Sequence, residues 1–338
     1  MRVTIRVSPF APLQDVVVFA RRCEDAGFDG IGFLDSQMIN RDVFVTMTAV
    51  AGATSRIRLI TAVTNPVTRH VSVLASAAAS IDDLAPGRVE VWLGRGFSAV
   101  NLAGLREAST RELRVAVQQL RGLLAGEWDV IPDTHSQMRI GGRRVPVYLA
   151  AQGPQTTRLA GEVADGILIA GSFEPQDWQH ARGLIAEGAA RAGRDVSEVG
   201  VALSLLTCIR PTREEALRLC GPMIVLRLED RAWLQRSGID AQGIQPPEAF
   251  MSLYPDPMHA EDQELAMDLC ETVPLELRSA IADKLGLIGS PADCIERLRT
   301  LSRSGFDHVF MRTVDTLSFP EAEVEAYGSE IAGAVARL

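Results

Sequence analysis

The sequence has 338 residues, 47% of them apolar, so the chain can bury one large core or two ordinary ones. Its 43 acidic and 34 basic residues give a net charge of -9, which argues against binding along a nucleic acid through phosphate neutralisation. No apolar run reaches the roughly 18 residues that span a bilayer, and no secretory signal is visible. With five widely spaced cysteines that we expect to be free thiols, the sequence predicts a cytoplasmic protein.

Short apolar runs alternate with longer helical patterns, as expected for βα units around a buried parallel sheet. The runs predict eight strands, at residues 3–7, 30–34, 57–63, 89–93, 145–150, 166–170, 199–208 and 308–311. Helices are predicted at residues 13–26, 42–53, 70–84, 110–124, 175–192, 212–226, 290–303 and 319–335, with another beginning near Gly153-Pro154. This pattern predicts an α/β fold, a (β/α)8 TIM barrel, in one domain that covers residues 1–338.

Residues 227–285 exceed what the eight units need and show no clear strand pattern. This segment forms an insertion before the last predicted strand and contains several Met and Pro residues. It is either a lid that selects the substrate or a peripheral helical excursion from the barrel. If it reaches the pocket, its Met side chains would form an apolar and adaptable wall.

Unusual turns follow four of the strands, at the end of a parallel barrel where active sites lie. They are residues 35–37, 64–70, 94–98 and 151–156. Gly94-Arg95-Gly96 lets a planar ring or a phosphate approach the backbone, and Arg95 can donate charge-assisted hydrogen bonds. Glycines at strand ends also occur for purely steric reasons, so this turn by itself is ambiguous.

Asp35 and His70 are the candidate catalytic residues. Asp35 ends an apolar strand, where partial desolvation would raise its proton affinity toward the range used in acid/base chemistry. The commoner interpretation of an isolated Asp is a helix cap or a partner for Arg41 or Arg69. His70 can be a catalyst, although a residue in its position more often just begins a helix.

The turn after the fifth strand starts a helix at Gly153-Pro154, where free N–H groups and the helix dipole favour an anion such as a phosphate. Gly-Pro is also an ordinary connector between a strand and a helix. The five histidines lack the spacing of a zinc site. The chain also has no GxSxG elbow, no P-loop lysine and no GxGxxG turn after the first strand, which argues against hydrolase chemistry and a Rossmann domain.

Residues 61–70, which contain the string Asn65-Pro66-Val67-Thr68-Arg69-His70, and residues 82–98 resemble the luciferase-like monooxygenase superfamily. Within it, the Asn-Pro-x-Thr-Arg-His string is similar to that of the branch that uses the deazaflavin coenzyme F420, such as the methylenetetrahydromethanopterin reductases. The similarity covers most of residues 1–175 and the C-terminal end of the chain. It does not cover residues 227–285.

The resemblance implies a (β/α)8 barrel with the cofactor ring over the strand ends and a non-prolyl cis peptide bond between Ala62 and Val63. It also implies that the ring contacts Asp35 and that the phosphate lies at the helix start after the fifth strand. The cofactor-binding residues that it implies are Ala62, Val63, Thr64, Asn65, Gly94, Arg95, Gly96, Phe97, Ser98, Gln152, Gly153, Pro154, Gln155, Thr156 and Gly171.

Three residues depart from the pattern of the family. Val71 stands where members often have Pro. Gln155 stands where they often have Lys or Arg, so a bound phosphate would lose a cation but keep its backbone donors. Phe97 replaces a Glu that the sugar-phosphate dehydrogenases of the family carry, which disfavours a sugar phosphate as the substrate.

The predicted function is therefore hydride transfer between coenzyme F420 and an unidentified small organic substrate, with Asp35 and His70 handling protons or orienting the ring. The first alternative is an FMN-dependent monooxygenase of the same superfamily, which would use reduced flavin and oxygen. The second alternative is a flavin-binding protein without catalytic activity. The habit of the family also predicts a homodimer.

Overall fold

Strands form at each of the apolar runs that predict them. The structure is a computed structural model that describes residues 1–170, 175–254, 257, 260–314 and 317–338. Its strands are β1 (Arg2–Val7), β2 (Gly30–Phe33), β3 (Arg58–Thr64), β4 (Val89–Leu93), β5 (Val147–Ala151), β6 (Gly166–Ala170), β7 (Gly200–Ile209), β8 (Gly286–Gly289) and β9 (His308–Thr313). β8 is the one strand here that the sequence analysis does not predict.

The strands pair in parallel from β1 to β7, then β7 pairs with β9 and β9 with β1. Eight strands therefore close into a barrel flanked by helices, which confirms the predicted (β/α)8 fold. β8 pairs with the C-terminal half of β7, from Leu206 to Ile209. Gly286 allows this close pairing, because a Cβ there would lie 2.0 Å from the carbonyl oxygen of Leu206.

Helices occupy the connections between the strands. They are α1 (Leu13–Asp25), α2 (Val43–Ala51), α3 (Val71–Leu84), α4 (Ser98–Asn101), α5 (Thr110–Ala125), α6 (Pro154–Val163), α7 (Pro175–Arg191), α8 (Arg213–Leu219), α9 (Gly221–Val225), α10 (Arg231–Arg236), α11 (Glu248–Met251), α12 (Gln263–Glu271), α13 (Leu275–Leu285), α14 (Pro291–Arg303), α15 (Glu321–Ala326) and α16 (Ala332–Val335). The helix predicted at 212–226 is divided at Cys220, since Pro222 has no N–H to continue the ladder of α8. The helix predicted at 319–335 contains a π-helical segment, Tyr327–Ile331.

Side chains fill the interior of the barrel. The inward-facing apolar cluster consists of Ile60, Ala62, Trp92, Tyr148, Leu168, Ala202 and Phe310. Trp92 is fully buried, stacks on Tyr148 at a centroid distance of 5.2 Å and donates from Nε1 to Glu90 Oε2 at 2.9 Å. A packed interior of this kind leaves the loops at the strand ends to form a site.

The described part of residues 227–285 contains the helices α10 to α13 joined by turns. Apolar side chains of this segment, among them Trp233, Phe250 and Ile281, are buried against Leu206 of β7 and Ile288 of β8. The segment therefore packs on the wall of the barrel, and its first part also lines a cavity at the strand ends. The assignment of the whole chain to one domain stays a prediction.

All five cysteines are buried, and none forms a disulfide, as expected for free thiols. Burial raises the pKa of the Cys270 and Cys294 thiols to about 12, so these two remain protonated at neutral pH. Among the described residues, no helix combines the length and the apolar character that crossing a membrane requires.

Candidate functional site

The turns after β2 and β4 meet at the C-terminal end of the barrel. Ser36 Oγ donates to Ser98 Oγ at 3.0 Å, and Gln37 Nε2 donates to the carbonyl oxygen of Ala99 at 3.2 Å. These contacts connect the ends of β2 and β4, and both strands pair with β3. Three of the four turns singled out in the sequence therefore lie side by side.

Asp35 has one satisfied and one unsatisfied carboxylate oxygen. Its side chain is 1% exposed, and Oδ2 accepts hydrogen bonds from Thr64 Oγ1 at 2.7 Å and from the guanidinium of Arg69. Oδ1 is buried and has no hydrogen-bond partner among the described residues. Because Thr64 and Arg69 both bind Oδ2, the second oxygen, Oδ1, is left to accept a hydrogen bond from a ligand.

Arg69 joins Asp35 to the start of α2. Its second nitrogen lies 2.7 Å from Asp42 Oδ2, while Asp42 Oδ1 accepts from the N–H groups of the first helical turn. The guanidinium also lies over the Phe44 ring, 5.4 Å from its centroid. Burial lowers the pKa of Arg69, but the charges and hydrogen bonds of the two aspartates outweigh burial and raise it. The ion-pair interpretation of Asp35 is thus realised with Arg69.

Asn65 has a similar asymmetry at the end of β3. Its Oδ1 accepts from the N–H groups of Val67 at 3.0 Å and Thr68 at 2.9 Å, which turns the chain out of the strand. Its Nδ2 is buried and has no hydrogen-bond partner among the described residues. The site thus presents one unsatisfied donor, on Asn65, and one unsatisfied acceptor, on Asp35.

Glycines allow the end of β4 to approach the end of β3. The Ala62-Val63 peptide bond is cis, and the register between β3 and β4 shifts between Thr61 and Thr64. A Cβ at Gly94 would lie 2.7 Å from Val63 Cγ2. A Cβ at Gly96, whose φ is +83°, would lie 2.7 Å from Val100 Cγ1. A side chain at either position would therefore collide with these neighbours.

Arg95 and Phe97 have their contacts away from this surface. Arg95 Nε donates to the carbonyl oxygen of Ala108 at 2.8 Å, and the guanidinium lies 3.6 Å from Glu107 Oε2. The Phe97 side chain is 76% exposed. The structure therefore gives Arg95 partners in the loop before α5, so a direct contact between Arg95 and a cofactor stays a prediction.

The start of α6 has open backbone donors. Gly153 is the N-cap residue, Pro154 begins the helix, and no side chain caps it. The hydroxyl groups of Thr156 and Thr157 both donate to the carbonyl oxygen of Gly153, at 3.0 Å each, so they do not occupy the N–H groups. Gln152, Gly153 and Pro154 line a cavity of about 450 Å³. Gly171, which the resemblance also assigns to the phosphate, lies outside the described residues.

His70 is exposed and caps α3. Its Nδ1 lies 2.8 Å from Ser72 Oγ and accepts from the N–H of Ser72 at 3.3 Å. It lines a groove of about 430 Å³ that is formed with residues of the loop before α5 and of α5 itself, such as Leu105 and Val115. The structure therefore gives His70 a helix-capping role, and its proposed catalytic role stays a prediction.

Three arginines near the site are not among the site residues predicted from the sequence. Arg227, from the segment after α9, and Arg312, from β9, line the same cavity as the start of α6. Arg6 of β1 directly follows Ile5, whose partner on β9, Met311, directly precedes Arg312. Alternation on the first and last strands was the available signal, because Arg6 and Arg312 follow the inward-facing Thr4 and Phe310 by two residues.

Over residues 2–308 the sequence matches the family described as luciferase-like monooxygenase. The chain belongs to this family. This match confirms the resemblance drawn from residues 61–70 and 82–98, and the relatives of the chain extend it to the branch of the methylenetetrahydromethanopterin reductases.

Proteins similar in sequence to this chain include reductases and dehydrogenases. Over 248 residues the chain is 36% identical to the 5,10-methylenetetrahydromethanopterin reductase of Methanolobus tindarius. This alignment covers 70% of this chain and 74% of the relative. It is 28% identical over 344 residues to the F420-dependent glucose-6-phosphate dehydrogenase of Beutenbergia cavernae, which covers 95% and 93%.

A solved structure of a coenzyme F420-dependent reductase shares the fold. The coenzyme F420-dependent tetrahydromethanopterin reductase from Methanopyrus kandleri matches with a TM-score of 0.79 and 23% sequence identity, over 98% of each chain. The likeness in fold therefore extends over nearly the whole chain.

Proposed function

We propose that this chain is an oxidoreductase that transfers hydride between coenzyme F420 and a small organic substrate. One observation carries the proposal: Asp35 Oδ1 and Asn65 Nδ2 are buried at the mouth of the barrel without hydrogen-bond partners among the described residues. Because unsatisfied buried polar atoms cost free energy, a polar ring with its own donor and acceptor fits this position. A relative named for its dependence on F420 supports that coenzyme as the ring.

The residues that would hold the cofactor form two groups. The ring would lie against the ends of β3 and β4, where glycines leave room, and Asp35 and Asn65 would supply its hydrogen bonds. The phosphate would lie at the start of α6, where backbone N–H groups and the helix dipole replace the cation that Gln155 lacks. The proposed set is Ala62, Val63, Thr64, Asn65, Gly94, Arg95, Gly96, Phe97, Ser98, Gln152, Gly153, Pro154, Gln155, Thr156 and, outside the described residues, Gly171.

When bound, a deazaflavin supplies a hydride donor or acceptor at a ring carbon and does not readily activate oxygen. Asp35 contributes orientation, because its ion pair with Arg69 and its hydrogen bond from Thr64 fix the carboxylate and leave Oδ1 to accept. This geometry favours orientation over proton transfer for Asp35. His70 stays the second candidate for proton transfer.

The experiment that tests this proposal is reconstitution of the purified protein with each cofactor. Calorimetric titration with F420 and with FMN should give tight binding of F420 and much weaker binding of FMN, and F420 bound to the protein should be reduced or oxidised by a substrate of the right class. Tight binding of FMN without binding of F420 would refute the proposal and favour the monooxygenase alternative. Tight F420 binding without turnover of any unsaturated or carbonyl substrate would favour a non-catalytic protein.

Two further expectations belong with this function. We expect a homodimer, because dimers are common in the family, and we expect a cytoplasmic location from the sequence. Sedimentation at two protein concentrations and fractionation of the source cells would test them separately.

A further inference from the structure

We propose that Arg6, Arg227 and Arg312 form a binding site for the anionic group, a carboxylate or a phosphate ester, of the organic substrate. This inference rests on the proposed function in one respect: it takes the mouth of the barrel as the place where the substrate meets the cofactor. The site lies on β1 and β9, and β1 pairs directly with β2, the first of the strands that would hold the cofactor ring.

The strand register brings Arg6 and Arg312 together inside the barrel mouth. β1 and β9 pair in parallel with Thr4 opposite Phe310 and Ile5 opposite Met311, so Arg6 and Arg312 each directly follow the last paired residue of their strand. Thr4 and Phe310 face inward, since Thr4 Oγ1 lies 2.9 Å from His308 Nε2 and Phe310 belongs to the interior cluster. Two residues further along each strand, the arginines face the same way.

None of these three guanidinium groups forms an ion pair within the described part of the chain. In the described part of the chain, Arg6 donates to the carbonyl oxygen of Thr313, and the guanidinium of Arg227 lies 5.5 Å from the centroid of the Trp233 ring. Neither arginine, nor Arg312, has a carboxylate partner there, whereas most other arginines form ion pairs. Repulsion between neighbouring guanidinium groups costs free energy that a bound anion would offset.

The electrostatics agree with this geometry. Burial, and then the charge of Arg312, lowers the pKa of Arg6 to about 9. Burial, and then the charge of Arg227, lowers the pKa of Arg312. An arginine in a matched ion pair shows the opposite behaviour, as the raised pKa of Arg69 beside two aspartates illustrates. A bound monoanion or dianion would act on these arginines as the aspartates act on Arg69, and would raise their pKa.

The cavity beside the arginines has the walls of a site for a small molecule. Its volume is about 450 Å³, and Arg227 and Arg312 line it together with Trp178 and Trp233. Asp177 and Asp230 also line it, but neither forms an ion pair with these two arginines in the described residues. Aromatic and apolar walls with a few convergent polar groups are typical of ligand pockets. Because Arg227 precedes α10, the helical segment of residues 227–285 supplies part of this pocket, which gives that segment a direct role in substrate selection.

The proposed anion site and the proposed ring contacts lie on different but adjacent strands of the barrel. The proposed ring contacts come from β2, β3 and β4, whereas Arg6 and Arg312 lie on β1 and β9. The same cavity also reaches Gly153 and Pro154, where the cofactor phosphate would lie. The anion at the arginines therefore has two sources to distinguish, a substrate and the side arm of the cofactor, and the experiment below separates them.

The test is calorimetric titration of inorganic phosphate into the protein loaded with F420. Wild-type protein should bind phosphate, and Arg312→Met should bind it about 10- to 100-fold more weakly, as expected for the loss of charge-assisted hydrogen bonds. Arg312→Lys should restore part of the affinity. Arg303→Met is the matched control, because Arg303 is 74% exposed on α14, and its affinity for phosphate should equal that of wild type.

Arg227→Met provides a second variant if Arg312→Met fails to fold, and it should also weaken phosphate binding. Equal phosphate affinity in wild type and in both variants would overturn the inference. A second pair of results would also overturn it: F420 abolishes phosphate binding, and Arg312→Met weakens the binding of F420 but not the binding of its phosphate-free chromophore. The anion site would then belong to the cofactor. If F420 does not bind but phosphate binding to the unloaded chain depends on Arg312, the proposed function fails and the anion site stands.

Discussion

Replacing Asp35 by Asn should weaken F420 binding with only a moderate loss of stability. The substitution keeps the size of the side chain and an oxygen that can accept from Thr64, but it removes the negative charge that faces Arg69. The oxygen at Oδ1, which has no partner among the described residues, becomes an amide nitrogen or a weaker acceptor. The ring would then lose its charged hydrogen-bond acceptor.

The structure sets the size of both effects. A hydrogen bond to a charged group contributes about 1.5 to 3 kcal/mol, so the Kd for F420 should rise about 10- to 150-fold. Removing one partner of a buried ion pair costs about 3 to 5 kcal/mol, but Arg69 keeps Asp42 at 2.7 Å, so we expect a loss of about 1 to 3 kcal/mol. Fluorescence titration with F420 and urea unfolding measure the two quantities.

Asp42→Asn is the matched control. Asp42 pairs with the same guanidinium, but its side chain is 44% exposed and its role is to cap α2, which Asn performs equally well. Its affinity for F420 should equal that of wild type. If Asp35→Asn binds F420 as tightly as wild type does, or if Asp42→Asn weakens binding by the same factor, the assignment of Asp35 to the ring is refuted.

Three other variants test separate parts of the account. Gly94→Ala should destabilise the protein by about 1 to 3 kcal/mol and weaken F420 binding, because its Cβ would lie 2.7 Å from Val63 Cγ2. Gly183→Ala is the control and should do neither, since open space surrounds Gly183. Thermal unfolding and titration with F420 measure the two effects. Glu24 accepts hydrogen bonds from three backbone N–H groups of the loop before β3, which outweigh burial and lower its pKa, so its contribution is present above its unfolded pKa near 4.5 and lost as the pH falls through the lower folded value. Glu24→Gln should therefore be less stable than wild type in urea at pH 7, and the difference should shrink in acid; a constant difference would contradict this. His70→Asn keeps a helix cap, so an unchanged Tm with a large fall in kcat would establish proton transfer by His70, and an unchanged kcat would leave only the capping role.

The barrel could be predicted because each of its strands is a short apolar run with polar or glycine-containing turns. The sequence around β8 lacks this signal: it has four residues, begins and ends with glycine and directly follows a helical segment. The tight approach of Gly286 to Leu206 that permits this strand is a property of the three-dimensional packing. No local pattern reports it.

The site could be predicted in part for a similar reason. The turns after β2, β3 and β4 are local in sequence, and parallel pairing alone brings their ends together. Which of two possible partners Asp35 takes depended on geometry, and Arg69 rather than Arg41 forms the ion pair. Arg6 and Arg312 lie near opposite ends of the chain, and the pairing of β1 with β9 brings them together. No local sequence pattern predicts this arrangement.

A crystal structure of the protein with F420 would test the central claim most directly. The account predicts the ring against the Ala62-Val63 peptide, a hydrogen bond to Asp35 Oδ1, a second from Asn65 Nδ2 and the phosphate at the start of α6. A ring bound elsewhere, or a ring at this position with both of those polar atoms still unpaired, would contradict it.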